Sequence, residues 1–461
     1  MNLRLNDVAL WTKGTLRGAD AAVHGASVSG VFTDTRKPVA GGLFVALKGE
    51  NFDAHDFLVQ AKQGGAVAAL VARSVDVDLP QVVVTDTLLA LGDLASAVRA
   101  QRRVRVAGIT GSNGKTTVKT LLASILSDCG KTHVNAGNLN NEIGLPLSIL
   151  AMPEDAQFAV LEMGAGKPGD IQYLAAIARP EIAVVNNIAP AHLERMGSLE
   201  GIAQTKGAIY AALPAHGIAV INADDAFAEY FAGVAGTRRA LHFGLEHAAD
   251  VRAEIAATGA ASRFDLLAPS GRINVNLPLP GRHNVMNALA AAALALAFDA
   301  PLDAIKHGLE SAPTVAGRLI RHAMPDGWML IDDSYNANPG STAAAIATLS
   351  AESGEAWLVL GDMRELGADA AALHANTGKL AREQGIARLY AVGELSAHAA
   401  AAFGSAARHF ANQRELIAAL AADVRPGVVV LVKGSRGSAM ERVVHALLGD
   451  GHHQGGSRHA A

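Results

Sequence analysis

The chain has 461 residues; 50% are apolar, 18% charged and 4% aromatic, and 39 basic residues against 43 acidic ones leave a formal net charge of −4. So many hydrophobes with so little net charge exclude an intrinsically disordered chain. The missing basic excess argues against nucleic-acid binding through phosphate neutralisation.

At about 150 residues per domain the length suggests roughly three domains. The single cysteine, Cys129, excludes an intramolecular disulfide and a multi-thiolate zinc site, and fits a reducing compartment. The opening MNLRLNDVALW lacks the basic and long apolar regions of a secretory leader. The longest apolar run, residues 288–298, falls short of the ~20 residues that cross a bilayer. The expectation is a soluble cytoplasmic protein without an integral membrane segment.

A β-branched run, a glycine-containing loop and an Ala/Leu-rich amphipathic stretch recur along the chain. That alternation predicts an α/β fold with mostly parallel strands. The first block, residues 1–102, has predicted strands at 43–47, 67–72 and 81–85. Its predicted helices are 53–63, stopped by Gly64-Gly65, and 87–100. The polar Gln101-Arg102-Arg103 marks a boundary. The second block, 103–314, opens with a strand at 104–109, a glycine-rich loop and a helix at 115–129 closed by Gly130. Strands follow at 158–162, 182–185 and 218–222, then a buried Ala-rich helix at 284–298. A linker with Pro313 leads to the third block, 315–448, with strands at 329–331, 357–360, 389–392 and 428–432 alternating with helices. The Gly- and His-bearing tail, 449–461, is predicted disordered. Its His452, His453 and His459 could hold a metal, but a frayed tail is the simpler reading.

The strongest local signal is the run Gly108-Ile109-Thr110-Gly111-Ser112-Asn113-Gly114-Lys115-Thr116-Thr117, between a strand and a helix. Its glycines let backbone N–H groups approach anionic oxygens, and the helix N-terminus adds positive potential. Lys115 can reach outer phosphates, and the Thr116 hydroxyl can ligate Mg²⁺. Position 109 is isoleucine, so the strict phosphate-loop spacing is not met. The Gly-Lys-Thr core and the strand–loop–helix setting still favour phosphate binding over an ordinary turn.

Glu162 ends the strand in AVLEMGA, and His192 and Glu194 follow the strand in AVVNNIAPAHLE. Singly, a solvated strand end and a capping or core histidine are the ordinary readings. Repeated at strand C-termini, which converge on the ligand crevice of a doubly wound sheet, they fit a Mg²⁺–phosphate site. Nothing local separates Lys206 from a solvated surface lysine. His283 and Asn284 fall near a helix N-terminus, where a cap is the plain reading. Arg318 follows the linker. The Asp332-Asp333 pair before Asn336 and Asn338 either binds a polar ligand or forms an Asx-turn. Two more strand-end loops, Lys433-Gly434-Ser435-Arg436-Gly437 and the GDMRELG segment from Gly361, lack the Gly-Lys-Thr order. They are set aside as ATP sites, although the first could hold an anion. No nucleophile elbow, Cys/His pairing or zinc spacing is present.

In order, TGSNGKTT, the glutamate of VLEMGA, the histidine of APAHLE, Lys206, GRHN, AGR and DDSYNANP resemble the Mur ligases of bacterial cell-wall synthesis. The resemblance spans roughly residues 25–448. The segments FTDTRKPVAGGLFVALKGENFDAHDF, AGNLNNEIGLP, LPLPGRHN, LGDMRELG and LVKGSR are similar to the subgroup that adds D-alanyl-D-alanine to UDP-N-acetylmuramoyl-tripeptide. The resemblance implies an N-terminal UDP-sugar domain, a central parallel-sheet ATPase domain and a C-terminal Rossmann-like ligase domain. It implies a monomer using ATP and Mg²⁺, with an acyl phosphate intermediate.

Carried over by position, Gly111, Ser112, Asn113, Gly114, Lys115, Thr116 and Thr117 would hold ATP phosphates, and Asn284 would lie by the adenine. Thr116, Glu162 and His192 would surround Mg²⁺, with Lys206 carbamylated to support a second ion. Arg318 and Asp333 would bring the C-terminal domain to the nucleotide. Thr35, Arg36, Lys48, Gly49 and His55 would contact UDP, Asn140 and Asn141 the UDP-peptide, and Asn336 and Asn338 the dipeptide. The family's Lys-Gly-Glu is Lys206-Gly207-Ala208 here.

Alternative readings are a ligase adding the third peptide residue, a folylpolyglutamate synthase, or a non-catalytic nucleotide-binding module. Gly340 after Asn338-Pro339 stands where the diamino-acid-adding ligases carry arginine. The TDTR and FVALKGE segments argue against the folate enzymes. The intact Lys115, Glu162, His192 and Lys206 argue against a non-catalytic module.

Overall fold

The computed structural model describes residues 3–18, 27–191 and 193–449. His192 and the tail histidines therefore lie outside the described residues. The α/β architecture read from the sequence is present, as three sheets with predominantly parallel pairing in chain order.

The first sheet has the order Thr15–Arg17, Gln81–Val83, Ala68–Val71, Leu43–Val45, Val31–Phe32, antiparallel only at its first pair. The predicted helix 53–63 divides. Asp53 accepts from the His55 N–H and starts a 3-10 turn, Ala54–Phe57, before the helix Leu58–Gln63. The helix Thr87–Ala100 forms where its pattern placed it, because Asp86 caps it through the Leu88 and Leu89 N–H groups. Leu91, Leu94 and Val98 on this helix join one hydrophobic core with Leu145, Ile171 and Leu174 beneath the second sheet. Buried Arg99 fastens the same junction. Its guanidinium donates to the carbonyls of Ala178 (2.8 Å), Arg102, Val104 and Arg179.

The second sheet is all parallel, in the order Arg239–Phe243, Ile218–Asn222, Ile182–Val185, Arg105–Thr110, Phe158–Glu162, Thr132–Val134. Its first strand in sequence therefore sits inside the sheet. The C-terminal ends of this strand and its neighbours open at one edge, carrying Gly111, Glu162, Asn186 and Asn222. The helix Arg282–Ala297 is buried along most of its length, its alanines allowing close approach to the helix Lys115–Ser127. An antiparallel meander, Arg252–Thr258, Ser262–Ala268 and Gly271–Leu277, is absent from the sequence reading.

The third sheet runs Ile320–Ala323, Met329–Asp333, Val428–Lys433, Glu355–Gly361, Arg388–Val392, Ala407–Phe410, antiparallel only at its first pair. The last strand in sequence inserts beside Met329–Asp333, with Lys433 opposite Asp333. Hydrophobic cores flank this sheet and contain no residue of the second sheet. Among the described residues no helix is long and apolar enough to cross a membrane.

Candidate active site

Gly111 (φ 146°) and Gly114 (φ 78°) bend the loop between the strand Arg105–Thr110 and the helix Lys115–Ser127. A Cβ on Gly114 would lie 2.2 Å from Asn287 Oδ1, so glycine is required by contact as well as by conformation. Lys115 folds back over the loop, its Nζ donating to the Gly111 carbonyl at 2.8 Å. Asn186 Nδ2 donates to the Asn113 carbonyl at 2.9 Å, and Asn187 Oδ1 accepts from the Asn113 N–H at 2.9 Å. These two asparagines at a strand end hold the loop open. The sequence reading passed them over, although the NN of AVVNN was their signal.

Glu162 is buried at its strand end. Its carboxylate accepts from Thr116 Oγ1 (2.9 Å) and Asn140 Nδ2 (2.7 Å), with Lys119 Nζ at 3.4 Å. Burial raises a carboxyl pKa, but Lys119, Lys115 and these hydrogen bonds outweigh it and hold Glu162 below its ordinary value. Lys119 is itself buried and donates to the carbonyls of Asn135 and Gly137, both at 2.9 Å. It was not singled out from sequence. Its position four residues after Lys115, on one helix face, was the available cue.

Lys206 overturns its local reading. It sits on the helix Leu199–Ala211 at 2% exposure, and among the described residues its ammonium has no hydrogen-bond or ion-pair partner. Burial and the nearby charge of Lys115 push its pKa well below that of a solvated lysine.

The third sheet supplies the opposite wall. Arg318 Nη2 donates to Thr116 Oγ1 at 3.0 Å, and its guanidinium stands 4.5 Å over the Tyr335 ring. Asp332 forms the Asx-turn, accepting from the Ser334 N–H and Oγ. Asp333 instead pairs with buried Lys433 at 2.5 Å. Asn338 caps the helix Pro339–Ser350, and its Nδ2 donates to Asn113 Oδ1 at 2.8 Å. It is thus committed to the loop contact, whereas Asn336 turns its side chain to the backbone N–H groups of Ala337 and Arg436.

One further reading is corrected. Asn284 is no N-cap: the helix starts at Arg282 behind Gly281, and Asn284 Nδ2 donates to the Pro280 carbonyl while its Oδ1 accepts from Asn287. The Lys433–Gly437 loop, set aside as a rival ATP loop, contributes Lys433 and Arg436 to the same cavity. That cavity measures about 1030 Å³ and is lined by Ser112 to Thr117, Asn140, Asn141, Glu162, Asn284, Arg318, Asp333, Asn336 and Asn338, among others. His283 also lines it, with its pKa lowered to about 4 by burial and by Lys433. Asn141 Oδ1 accepts from the Gly144 N–H at 2.9 Å, just ahead of the helix Gly144–Leu150.

Thr35, Arg36, Lys48, Gly49 and His55 do not line this cavity. They occupy loops that follow the parallel strands Val31–Phe32 and Leu43–Val45, at one end of the first sheet. Arg36 forks onto Asp34, with its Nη2 2.8 Å from Oδ2. Lys48 and Gly49 are exposed. His55 differs from them. It is buried, its Nδ1 lies 2.5 Å from Asp53 Oδ1, and its Nε2 accepts from the Ala72 N–H at 2.8 Å. Both ring nitrogens are engaged within the chain, so His55 holds the loop and offers no ring nitrogen to a ligand.

A parallel sheet with a phosphate-type loop faces a second, mostly parallel sheet across one cavity, the layout of a nucleotide-dependent α/β enzyme. Residues 109–295 match the Mur ligase middle domain, and residues 317–436 match the Mur ligase, glutamate ligase domain. The chain is 48% identical over 442 residues to the UDP-N-acetylmuramoyl-tripeptide--D-alanyl-D-alanine ligase of Escherichia coli, covering 95% of this chain and 96% of that protein. Identity to the Haemophilus influenzae enzyme of that name is 40%, over 91% and 93% of the two chains. Its fold is similar to a crystal structure of MurF from Acinetobacter baumannii, with a TM-score of 0.92, 35% identity and 97% and 99% coverage. It is also similar to MurF ligase from Thermotoga maritima in complex with ADP, with a TM-score of 0.81, 30% identity and 90% and 96% coverage. The chain belongs to the Mur ligase family.

Proposed function

We propose that this chain is an ATP-dependent ligase that joins D-alanyl-D-alanine to UDP-N-acetylmuramoyl-tripeptide. The observation that carries the reading is the single cavity in which Lys115 and Thr116 of the phosphate loop meet Arg318 of the third block.

A carboxylate resists attack by an amine at neutral pH, so activation comes first. A carboxylate oxygen of the tripeptide attacks the ATP γ-phosphorus and ADP leaves, giving an acyl phosphate. The dipeptide amine then adds to the acyl carbon, and collapse releases phosphate and forms the amide. Phosphoryl transfer asks for positioning and charge neutralisation more than covalent help. Loop N–H groups and Lys115 face the phosphates, and Arg318 adds positive charge from the opposite wall. Asn284 shapes the adenine side through its bonds to Pro280 and Asn287.

Thr116 Oγ1 and the Glu162 carboxylate are adjacent hard oxygen donors beside the loop, a set that suits Mg²⁺ with its remaining positions on water and phosphate. They would hold the ion, with His192 by position, and the ion would neutralise charge on the phosphates. Lys206 fits carbamylation: burial lowers its pKa and so favours the free amine, the form that adds CO₂. The carbamate would place an anion at this buried position.

The blocks 1–102, 103–314 and 315–448 then serve sugar nucleotide, ATP and amine substrate in turn. Arg36, Lys48 and Thr35 contact the UDP moiety, Asn140 and Asn141 the peptide side, and Asn336 the dipeptide. The reaction belongs in the cytoplasm, with the chain acting as a monomer.

Phosphate release tests the proposal. Release is expected only when ATP, UDP-muramoyl-tripeptide and D-alanyl-D-alanine are all present. Full release with a single amino acid replacing the dipeptide overturns it. Lys206→Ala is expected to lose activity and to recover part of it with added short carboxylates; wild-type rates in the variant overturn the carbamate.

A further inference from the structure

The Lys433–Gly437 loop has no role in the scheme above, yet it reaches the cavity. From the third block, the cations lining the cavity are Arg318, Lys433 and Arg436. Lys433 is committed to Asp333 and to the Asn336 carbonyl. Arg318 is committed to Thr116 and the Tyr335 face. Arg436 is different. Its side chain is 58% exposed, and its only charge partner among the described residues is Glu441 at 3.3 Å. An exposed, single-contact ion pair of this kind is weak and exchangeable.

The base beneath Arg436 is fixed. Its backbone N–H donates to Asn336 Oδ1 at 3.3 Å, and Ser438 Oγ donates to the Asp362 carbonyl at 2.9 Å. Ser435 Oγ accepts from the Arg364 N–H at 2.7 Å. A mostly exposed guanidinium, held by one weak ion pair and the Tyr335 ring, thus stands on an anchored loop, an arrangement that suits bidentate capture of a carboxylate. Spacing adds to this. The Tyr335 ring stands 4.5 Å from the Arg318 guanidinium, which touches the phosphate loop, and 5.8 Å from that of Arg436. The Tyr335 ring thus links the two guanidiniums, and a dipeptide, about 7 Å long when extended, lying beside that ring would direct its amine toward the phosphate loop and its carboxylate toward Arg436.

We infer that Arg436 receives the terminal carboxylate of the incoming dipeptide and sets a requirement for a free C-terminus on that substrate. The inference rests on the ligase reading proposed above.

The experiment compares D-alanyl-D-alanine with its C-terminal amide, in the wild type and in Arg436→Gln. The wild type is expected to favour the free acid. The variant should raise KM for the dipeptide about 10- to 100-fold, the range of a lost charged hydrogen bond. It should use acid and amide nearly alike, with KM for ATP and the UDP-tripeptide unchanged, which also reports an intact fold. A variant that keeps the wild-type preference for the acid overturns the inference alone. So does a rise in KM confined to ATP. A wild type inert toward acid and amide alike overturns the ligase reading, and this inference with it.

Discussion

Around the phosphate loop, side chains are bound to one another before any ligand arrives, whereas in the loops of the first sheet Arg36 and Lys48 stand in solvent. Asn113 is held by Asn186, Asn187 and Asn338, and Glu162 by Thr116, Asn140 and Lys119. Among the described residues Arg36 is paired with its neighbour Asp34, and Lys48 and Gly49 are exposed. The first region has its geometry set at folding, so binding there orders little. The second must order flexible side chains when a ligand arrives, which lowers the net gain from each contact. The chemistry falls in the region where a misplacement on the order of 1 Å would be costly.

Substitutions can break this contrast. The largest effect is expected for Lys115→Ala, about a 10³-fold fall in kcat for phosphate release, comparable to losing one preorganised charge-stabilising donor. Full turnover in that variant would remove the loop from the ATP site. Next comes Lys119→Met. It leaves Glu162 buried and unpaired, at a cost of about 3–5 kcal/mol in denaturant unfolding. The Lys119→Met, Glu162→Gln double variant should recover part of that loss, because no lone charge remains. If Lys119→Met costs no more than an exposed ion pair, the site is less preorganised than its contacts imply.

His283 offers a pH test of the same wall. Its folded pKa of about 4 lies below the ordinary 6.5, so the unfolded chain takes up this proton first as pH falls. Its contribution to stability is complete above pH 6.5 and is lost as pH falls toward 4. Unfolding curves of His283→Gln should show a shallower decline over that window; an identical decline would place His283 in solvent. The smallest effect belongs to the open region. Arg36→Ala should raise KM for the UDP substrate roughly tenfold and leave kcat unchanged. A fall in kcat there would mean that the first sheet takes part in the chemistry.

Much of this was legible in the sequence, for identifiable reasons. The helix Thr87–Ala100 has a capping aspartate and an apolar face. The strands Phe158–Glu162 and Ile182–Val185 are apolar runs bounded by turns, as buried parallel strands are. The meander after Arg252 was missed because the strands were sought as continuous apolar runs, whereas its polar–apolar alternation marks half-buried antiparallel strands. Lys206 could not be recognised from its neighbours in sequence, since its burial comes from elements far along the chain. His55 read as a ligand contact because histidine suits either role. Its structural role depends on Ala72, a partner that only folding brings close. The Asp332-Asp333 choice was undecidable until Lys433, 100 residues later, took one of the two.

The unequal sharing of cores has a thermodynamic consequence. The first two sheets meet in common apolar packing, while the third holds its own cores and reaches the phosphate loop through polar contacts such as Arg318 to Thr116 and Asn338 to Asn113. Those contacts end on the atoms that would surround a nucleotide. Bound ATP would then act as a mortar between two bodies expected to melt separately. At a hundredfold excess over its Kd it would add about 2.7 kcal/mol to their junction. A calorimeter would see two heat-absorption peaks in the free chain draw together into one as nucleotide is added.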